Sequence, residues 1–270
     1  MLGMMKRHLG ALMALIVGLG ASAFASENPV PAATPVAKDE PATKVPAKAP
    51  PAANFSWTGC YGGVTGGGNW GDSEQTALSG NHGGTTITGD FKLGSTGIAG
   101  GTFGCDYQIE KTVMGLENDM SWTNLRGATH DLPPFDVQGA SSTRQTWIDT
   151  LRGRIGYAFD YFLFYGTAGA AFAGTSVNVT NAFGFFSDSK PRIGIAMGVG
   201  SEWAAWSGPW GAVSVKLEYL HSDFGSRQYL NPPVTGAGFT ILTRDVKLTD
   251  DIVRAGMNVR LNWDGVVIAK

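Results

Sequence analysis

Nine charged side chains, Glu117, Asp119, Arg152, Arg154, Glu202, Lys216, Glu218, Arg254 and Arg260, stand in stretches where every second residue is apolar. Four acids and five bases brought onto one confined face can do two kinds of work. They can interlock as a hydrogen-bonded ion network, since isolated charges in a confined space are costly unless paired. They can also line a narrow charged pore and set its ion selectivity. The network is the expected reading and the pore is its rival.

Catalysis has little to build on. His8, His82, His130 and His221 show no metal-ligand spacing such as His-x-x-x-His, and no Gly-x-Ser-x-Gly elbow occurs. His221, Ser222 and Asp223 are consecutive, and consecutive strand residues point to opposite faces, so they cannot converge as a triad. The runs Gly62–Gly68 and Gly97–Gly101 lack the Gly-Lys-Ser/Thr of a phosphate loop. No catalytic residue, metal ligand set or cofactor is expected.

The elements that carry the charges have a period of two. From Ile252 to Trp263, Val253, Ala255, Met257, Val259, Leu261 and Trp263 form one face, and Arg254, Gly256, Asn258, Arg260 and Asn262 the other. The pattern recurs over Arg192–Trp203 and Ala212–His221, and more weakly over 57–70, 97–109, 113–122, 147–159 and 162–177. Eight strands are therefore predicted. Short joins at Glu110–Thr112, Asp160–Tyr161 and Ser207–Gly211 alternate with long polar ones at about 71–96, 123–146, 178–191 and 222–249. That asymmetry is the mark of an outer-membrane barrel, with tight periplasmic turns and long outer loops. Proline cannot donate to a strand ladder, and Pro133, Pro134, Pro191, Pro209, Pro232 and Pro233 all fall in predicted loops, a turn or a strand start.

A soluble β-sandwich would also alternate. Aromatic placement separates the two. Trp57, Tyr107, Tyr157, Phe159, Tyr161, Phe162, Trp203, Trp206, Trp210 and Trp263 lie at strand ends beside the short turns, as an interfacial girdle requires. Trp70, Trp122, Trp147 and Phe224 lie near the long joins. The fold class is thus all-β, an eight-stranded antiparallel transmembrane β-barrel. In so narrow a barrel the glycine runs read as small lumen-facing residues that make room for the charges.

Export is written at the start of the chain. Lys6-Arg7, an apolar run over Leu9–Leu19 and Ala23-Phe24-Ala25 form a signal peptide over residues 1–25. Residues 26–54 are rich in Pro and Ala and cannot bury a core, so they are expected to be an extended periplasmic linker. Lys38, Lys44 and Lys48 make peptidoglycan a candidate contact of that linker. The barrel is assigned to 55–263 and a short periplasmic tail to 264–270. Formal charge is −2 for the whole chain, which gives no basic face for nucleic acid.

Four segments carry a resemblance. Phe55-Ser56-Trp57-Thr58-Gly59-Cys60-Tyr61-Gly62-Gly63, Thr150–Ala158, Tyr165–Gly169 and Val253–Arg260 resemble the small outer-membrane β-barrel proteins of alphaproteobacteria, often labelled porin-family or opacity-like. The resemblance implies an abundant surface protein that supports the envelope and meets the host, with some relatives binding haem. It implies no catalysis. Such barrels often end in an aromatic residue read by the barrel assembly machinery, whereas seven residues follow Trp263 here. Trp263 is the candidate for that signal, with the seven residues as tail. Cysteines are a second departure, at positions where aromatics are expected.

Cys60 and Cys105 fall on neighbouring antiparallel strands, nearly level if those strands end near Ser56 and Ile109. A cross-strand disulfide forms if register and side-chain direction cooperate. A slip of one residue would instead turn one thiol to lipid and the other to the lumen. The expected partners are outer-membrane lipid and lipopolysaccharide along the wall. At the outer loops, Phe183, Phe185, Phe186, Tyr229 and Phe239, with His82 and His130, could meet a host ligand or haem, or simply pack the loops. The expected role is structural, with a small diffusion porin or a loop-based adhesin as alternatives.

Overall fold

A computed structural model describes residues 55–78, 84–135, 138–182, 184–208, 211–236, 239–241 and 243–261. The strands are β1 (Gly59–Ala77), β2 (Thr86–Ile109), β3 (Thr112–His130), β4 (Ala140–Phe159), β5 (Phe162–Asn181), β6 (Gly184–Gly208), β7 (Gly211–Tyr229), β8 (Val234–Gly236), β9 (Phe239–Ile241) and β10 (Arg244–Leu261). Eight of them close into an antiparallel barrel in the order β1-β10-β7-β6-β5-β4-β3-β2, and β8 pairs with β9 in a separate two-stranded sheet. The signal and linker assignments (1–54), Trp263 and the tail 264–270 lie outside the described residues.

The stagger of the barrel follows from its register. Pairing traced round the ring from Tyr157 of β4 passes Phe164, Ser201, Leu217, Ala255, Gly66, Ala99 and Trp122, and returns to β4 at Trp147, ten residues away. For eight strands about 4.8 Å apart, rising about 3.3 Å per residue, that stagger tilts the strands by about 40°. The step from Tyr157 to Trp147 then climbs about 25 Å, the height of the apolar band of such a barrel.

Within that band the apolar residues face out. Phe103, Leu116, Leu151, Ile155, Val199, Leu217, Met257 and Val259 are all exposed. Beyond the band the parity inverts: Ile98, Leu125, Ile148, Leu220, Leu248 and Ile252 point inward and are buried together with Phe91, Leu93 and Phe224. On β10 the switch falls between Val253, which faces outward, and the fully buried Ile252. Lipid surrounds the barrel below this level and water above it, so the side that can take apolar residues changes.

Several expectations change as a result. The long joins are mostly strand: β1, β2, β3, β4, β5, β6 and β7 run on well past the predicted ends, leaving connections such as 78–85 and 131–139. Polar residues outside and mixed residues inside erase the simple alternation there. Phe185 and Phe186 belong to β6, and Tyr229 ends β7 fully buried, so these aromatics build the wall and interior rather than loops. Pro191 is a mid-strand residue of β6, opposite Gly174. Its partner β7 pairs with β6 only from Ile195 on, so one edge of β6 is unladdered at the proline. Phe183, His82, Pro209 and Trp210 lie outside the described residues. His130 ends β3 exposed.

The girdle holds for Tyr107, Tyr157, Phe159, Tyr161, Phe162, Trp203 and Trp206 below and Trp70 and Trp122 above, all exposed. Trp57 and Phe224 point inward instead. The glycine runs divide by parity. Gly63, Gly67 and Gly100 face the lumen, where a Cβ would collide with the neighbouring strand. Gly62, Gly66, Gly68, Gly97 and Gly101 face outward, where a Cβ would make only ordinary van der Waals contacts, contrary to the expectation that the runs face the lumen.

The lumen ion network as candidate functional site

All nine predicted charges point into the barrel and are buried. The strands deliver them at alternate positions: Glu117 and Asp119 from β3, Arg152 and Arg154 from β4, Glu202 from β6, Lys216 and Glu218 from β7, and Arg254 and Arg260 from β10. Arg152 bridges Glu117 at 2.7 Å and Glu218 at 3.0 Å and also binds Asp119. Arg254 reaches Asp119 at 2.7 Å and Glu218 at 2.5 Å. Lys216 donates to Glu117 at 2.9 Å, and Arg154 reaches Glu202 at 3.1 Å.

One acid was missed. Asp106 of β2 accepts hydrogen bonds from Arg154 Nε and Arg260 Nη2, each at 2.7 Å. With it the cluster holds five acids and five bases and is formally neutral. Parity offered the signal, because Asp106 shares a face with Gly100, Thr102 and Gly104 in its own strand.

Aromatic residues complete the cluster. The Arg154 guanidinium lies between the rings of Tyr61 and Tyr165, at 4.8 and 4.9 Å from their centroids. Tyr61 donates to Glu117 at 2.7 Å and Tyr165 to Glu218 at 3.1 Å. Each ring occupies space that a neighbouring glycine leaves open: a Cβ at Gly104 would overlap Tyr61, and one at Gly200 would overlap Tyr165. These small residues are set against large ones by the taper of a narrow barrel.

Trp57 forms the periplasmic floor. It is fully buried with Val113, Ala158, Leu163, Tyr165 and Ala204. Its amide donates to Gln108 Oε1 at 2.7 Å, and its indole N–H to Asp160 O at 3.4 Å, in the turn between β4 and β5 on the opposite side of the ring. Arg260 clamps it from above, donating to the carbonyls of Trp57 at 2.5 Å and Gly59 at 3.1 Å. From the bottom upward the interior is therefore an aromatic floor, an ion layer and an apolar belt.

The outer membrane protein beta-barrel domain family matches residues 45–251. The chain belongs to this family. It is 28% identical over 195 residues to the 31 kDa outer-membrane immunogenic protein of Brucella melitensis, covering 68% of this chain and 78% of that one. It is also 28% identical to the 22 kDa outer membrane protein of Rhizobium leguminosarum, over 64% of this chain and 67% of that one. Among solved structures, Ail of Yersinia pestis has 14% identity and a TM-score of 0.31, covering 74% of this chain and 99% of that one. This is an outer-membrane protein, and its Brucella relatives are named as outer-membrane immunogenic proteins rather than as enzymes.

The remaining polar groups of this outer-membrane barrel sort by level. Glu117, Asp119 and Glu218 approach closely enough to share a metal ion, but Arg152, Lys216 and Arg254 already supply the positive charge there. Above the apolar belt, Arg244 pairs with Asp131 at 3.3 Å and donates to Gln75 at 2.8 Å. Burial pulls the Arg244 pKa below the usual arginine value, while Asp131 pulls it back up. His221 and Ser222 do face opposite sides. The imidazole lies outside, 2.8 Å from Asp251, and the Ser222 side chain is buried inside. Cys60 and Cys105 face each other in register and are joined by a disulfide on the outer surface of β1 and β2.

Proposed function

We propose that the protein is a closed structural barrel that anchors and stiffens the outer membrane and holds a rim of extended strands above it, without conducting solutes and without catalysis. One observation carries this reading. The charges that a pore would turn toward its water are spent on one another in a neutral cluster, packed between the Trp57 floor and the belt of Ile98, Leu125, Ile148, Leu220 and Ile252. A diffusion pore needs an aqueous path past its charged ring, whereas a ring of eight strands is filled by side chains of this size.

Refolded protein in planar lipid bilayers should give no stable channels, with current indistinguishable from bare membrane. Long-lived openings of uniform size would refute the closed-barrel reading and return the ion layer to the role of a selectivity ring. A strain lacking the protein should show detergent sensitivity, and a non-conducting barrel supplied in trans should restore resistance.

A further inference from the structure

The outer wall just above the aromatic level carries a charge arrangement that the barrel itself does not explain. Arg126 of β3 and Arg144 of β4 are directly opposed in the register, and both are exposed. Like charges facing one another across a strand pair are unfavourable. Lys92 of β2 stands beside them: a Cβ added at Gly127, next to Arg126, would come within 2.6 Å of Lys92 O. Among the described residues none of the three is in an ion pair, although Asp72 of β1 is the residue opposite Lys92. Arg144 donates from Nε to Asn124 Oδ1 at 2.9 Å, which holds it on this face.

Height identifies the surroundings. Trp122 and Trp147 are opposed on the same two strands, at the top of the apolar band. Arg144 lies three residues beyond Trp147, about 8 Å higher along the barrel axis at about 2.5 Å per tilted residue. That is the layer of lipid headgroups rather than acyl chains or bulk solvent. Elsewhere on the wall, β1 carries Asp72 and Glu74 near this level, with Lys247 of β10 facing Glu74, while Asp223 of β7 and Asp251 of β10 lie lower, at the aromatic level, where Asp251 is opposite Trp70; on β2 itself Asp90 stands two residues above Lys92 on the same face.

We propose that Arg126 and Arg144, with Lys92 flanking them, form a docking site for the phosphate groups of an outer-leaflet glycolipid. An anion placed between the two guanidinium groups turns their repulsion into shared charge-assisted hydrogen bonds. Trp122 and Trp147 below would lie against the sugar and upper acyl region. The site lies on the outer wall and does not depend on whether the lumen conducts.

The test uses the full chain in mixed micelles without divalent cations, titrated with bisphosphorylated lipid A or with the same lipid stripped of phosphate. The wild-type barrel should bind the phosphorylated form at least tenfold more tightly. Arg126→Ser with Arg144→Ser should abolish that preference while leaving heat-modifiable gel migration intact, because removing two opposed like charges does not weaken the sheet. Lys247→Ser on the far wall should keep it. Absence of a wild-type preference, persistence in the double variant, or an equal loss in Lys247→Ser would each overturn the proposal. So would displacement of the lipid by millimolar inorganic phosphate, which would mark a free-anion site instead.

Discussion

Replacing Asp106 with Asn tests the ion layer at the point where its bookkeeping closes. The substitution keeps the side chain's size, removes one negative charge and aims an amide at guanidinium groups. Asp106 serves two buried arginines, Arg154 through Nε and Nη2 and Arg260 through Nη2. After the change five bases face four acids. Removing one partner of a buried pair costs about 3–5 kcal/mol. The lower end applies here, because Arg154 keeps Glu202 at 3.1 Å and Arg260 keeps the Trp57 and Gly59 carbonyls. A loss of about 3 kcal/mol is roughly a hundredfold in the unfolding equilibrium. Urea titration of protein refolded into lipid vesicles, followed by gel migration and tryptophan fluorescence, would read it. Adding Arg260→Met restores neutrality and should return about half of the loss, about 1.5 kcal/mol, as coupling in a double-mutant cycle. A wild-type urea midpoint for Asp106→Asn, or strict additivity with Arg260→Met, would show that the charges do not act as one network.

Three further outcomes follow from the geometry. Trp57→Ala should destabilise the barrel by about 3–5 kcal/mol in the same urea assay, yet stay silent in planar bilayers because the ion layer above it remains; channels in this variant would show that Trp57 alone seals the lumen. Leu151→Arg, on the lipid side of β4 within the apolar band, should cost about 2–4 kcal/mol in vesicles, whereas Thr180→Arg, on β5 far above the band, should cost about 0–1. Equal costs would mean that the parity switch does not mark the bilayer edge. Cys60→Ser with Cys105→Ser opens a covalent loop with a sequence separation of 45, for which chain entropy gives about 4 kcal/mol as an upper value. A shift in urea midpoint and slower migration of the unreduced, denatured band are expected to separate the two forms.

The lower half of the barrel was legible because one rule governs it. Lipid outside and a crowded polar interior force a period of two on every strand, so Glu117, Arg152, Lys216 and Arg254 could be assigned a face from their neighbours alone. Above the membrane the rule changes sign, so the strand extensions there lack the simple alternation and read as loops in sequence. Adjacent apolar pairs held the missing signal: Ile252 and Val253 point to opposite sides of one wall, each apolar for a different reason. An aromatic near a strand end normally meets lipid, which predicts a girdle position for Trp57. Nothing local distinguishes it from one that folds inward across the barrel mouth.

The order of residues determined the strand period, the faces of the charges and the class of fold, since each depends on near neighbours and on what surrounds a strand. Ring closure decided the rest. The ten-residue stagger set which side chains share a level, so that Asp106 joined Arg154 and Arg260 from other strands, Arg126 came to face Arg144, and Cys60 met Cys105. Those encounters depend on how far each strand slides against the next, and that offset is fixed only when all eight close together.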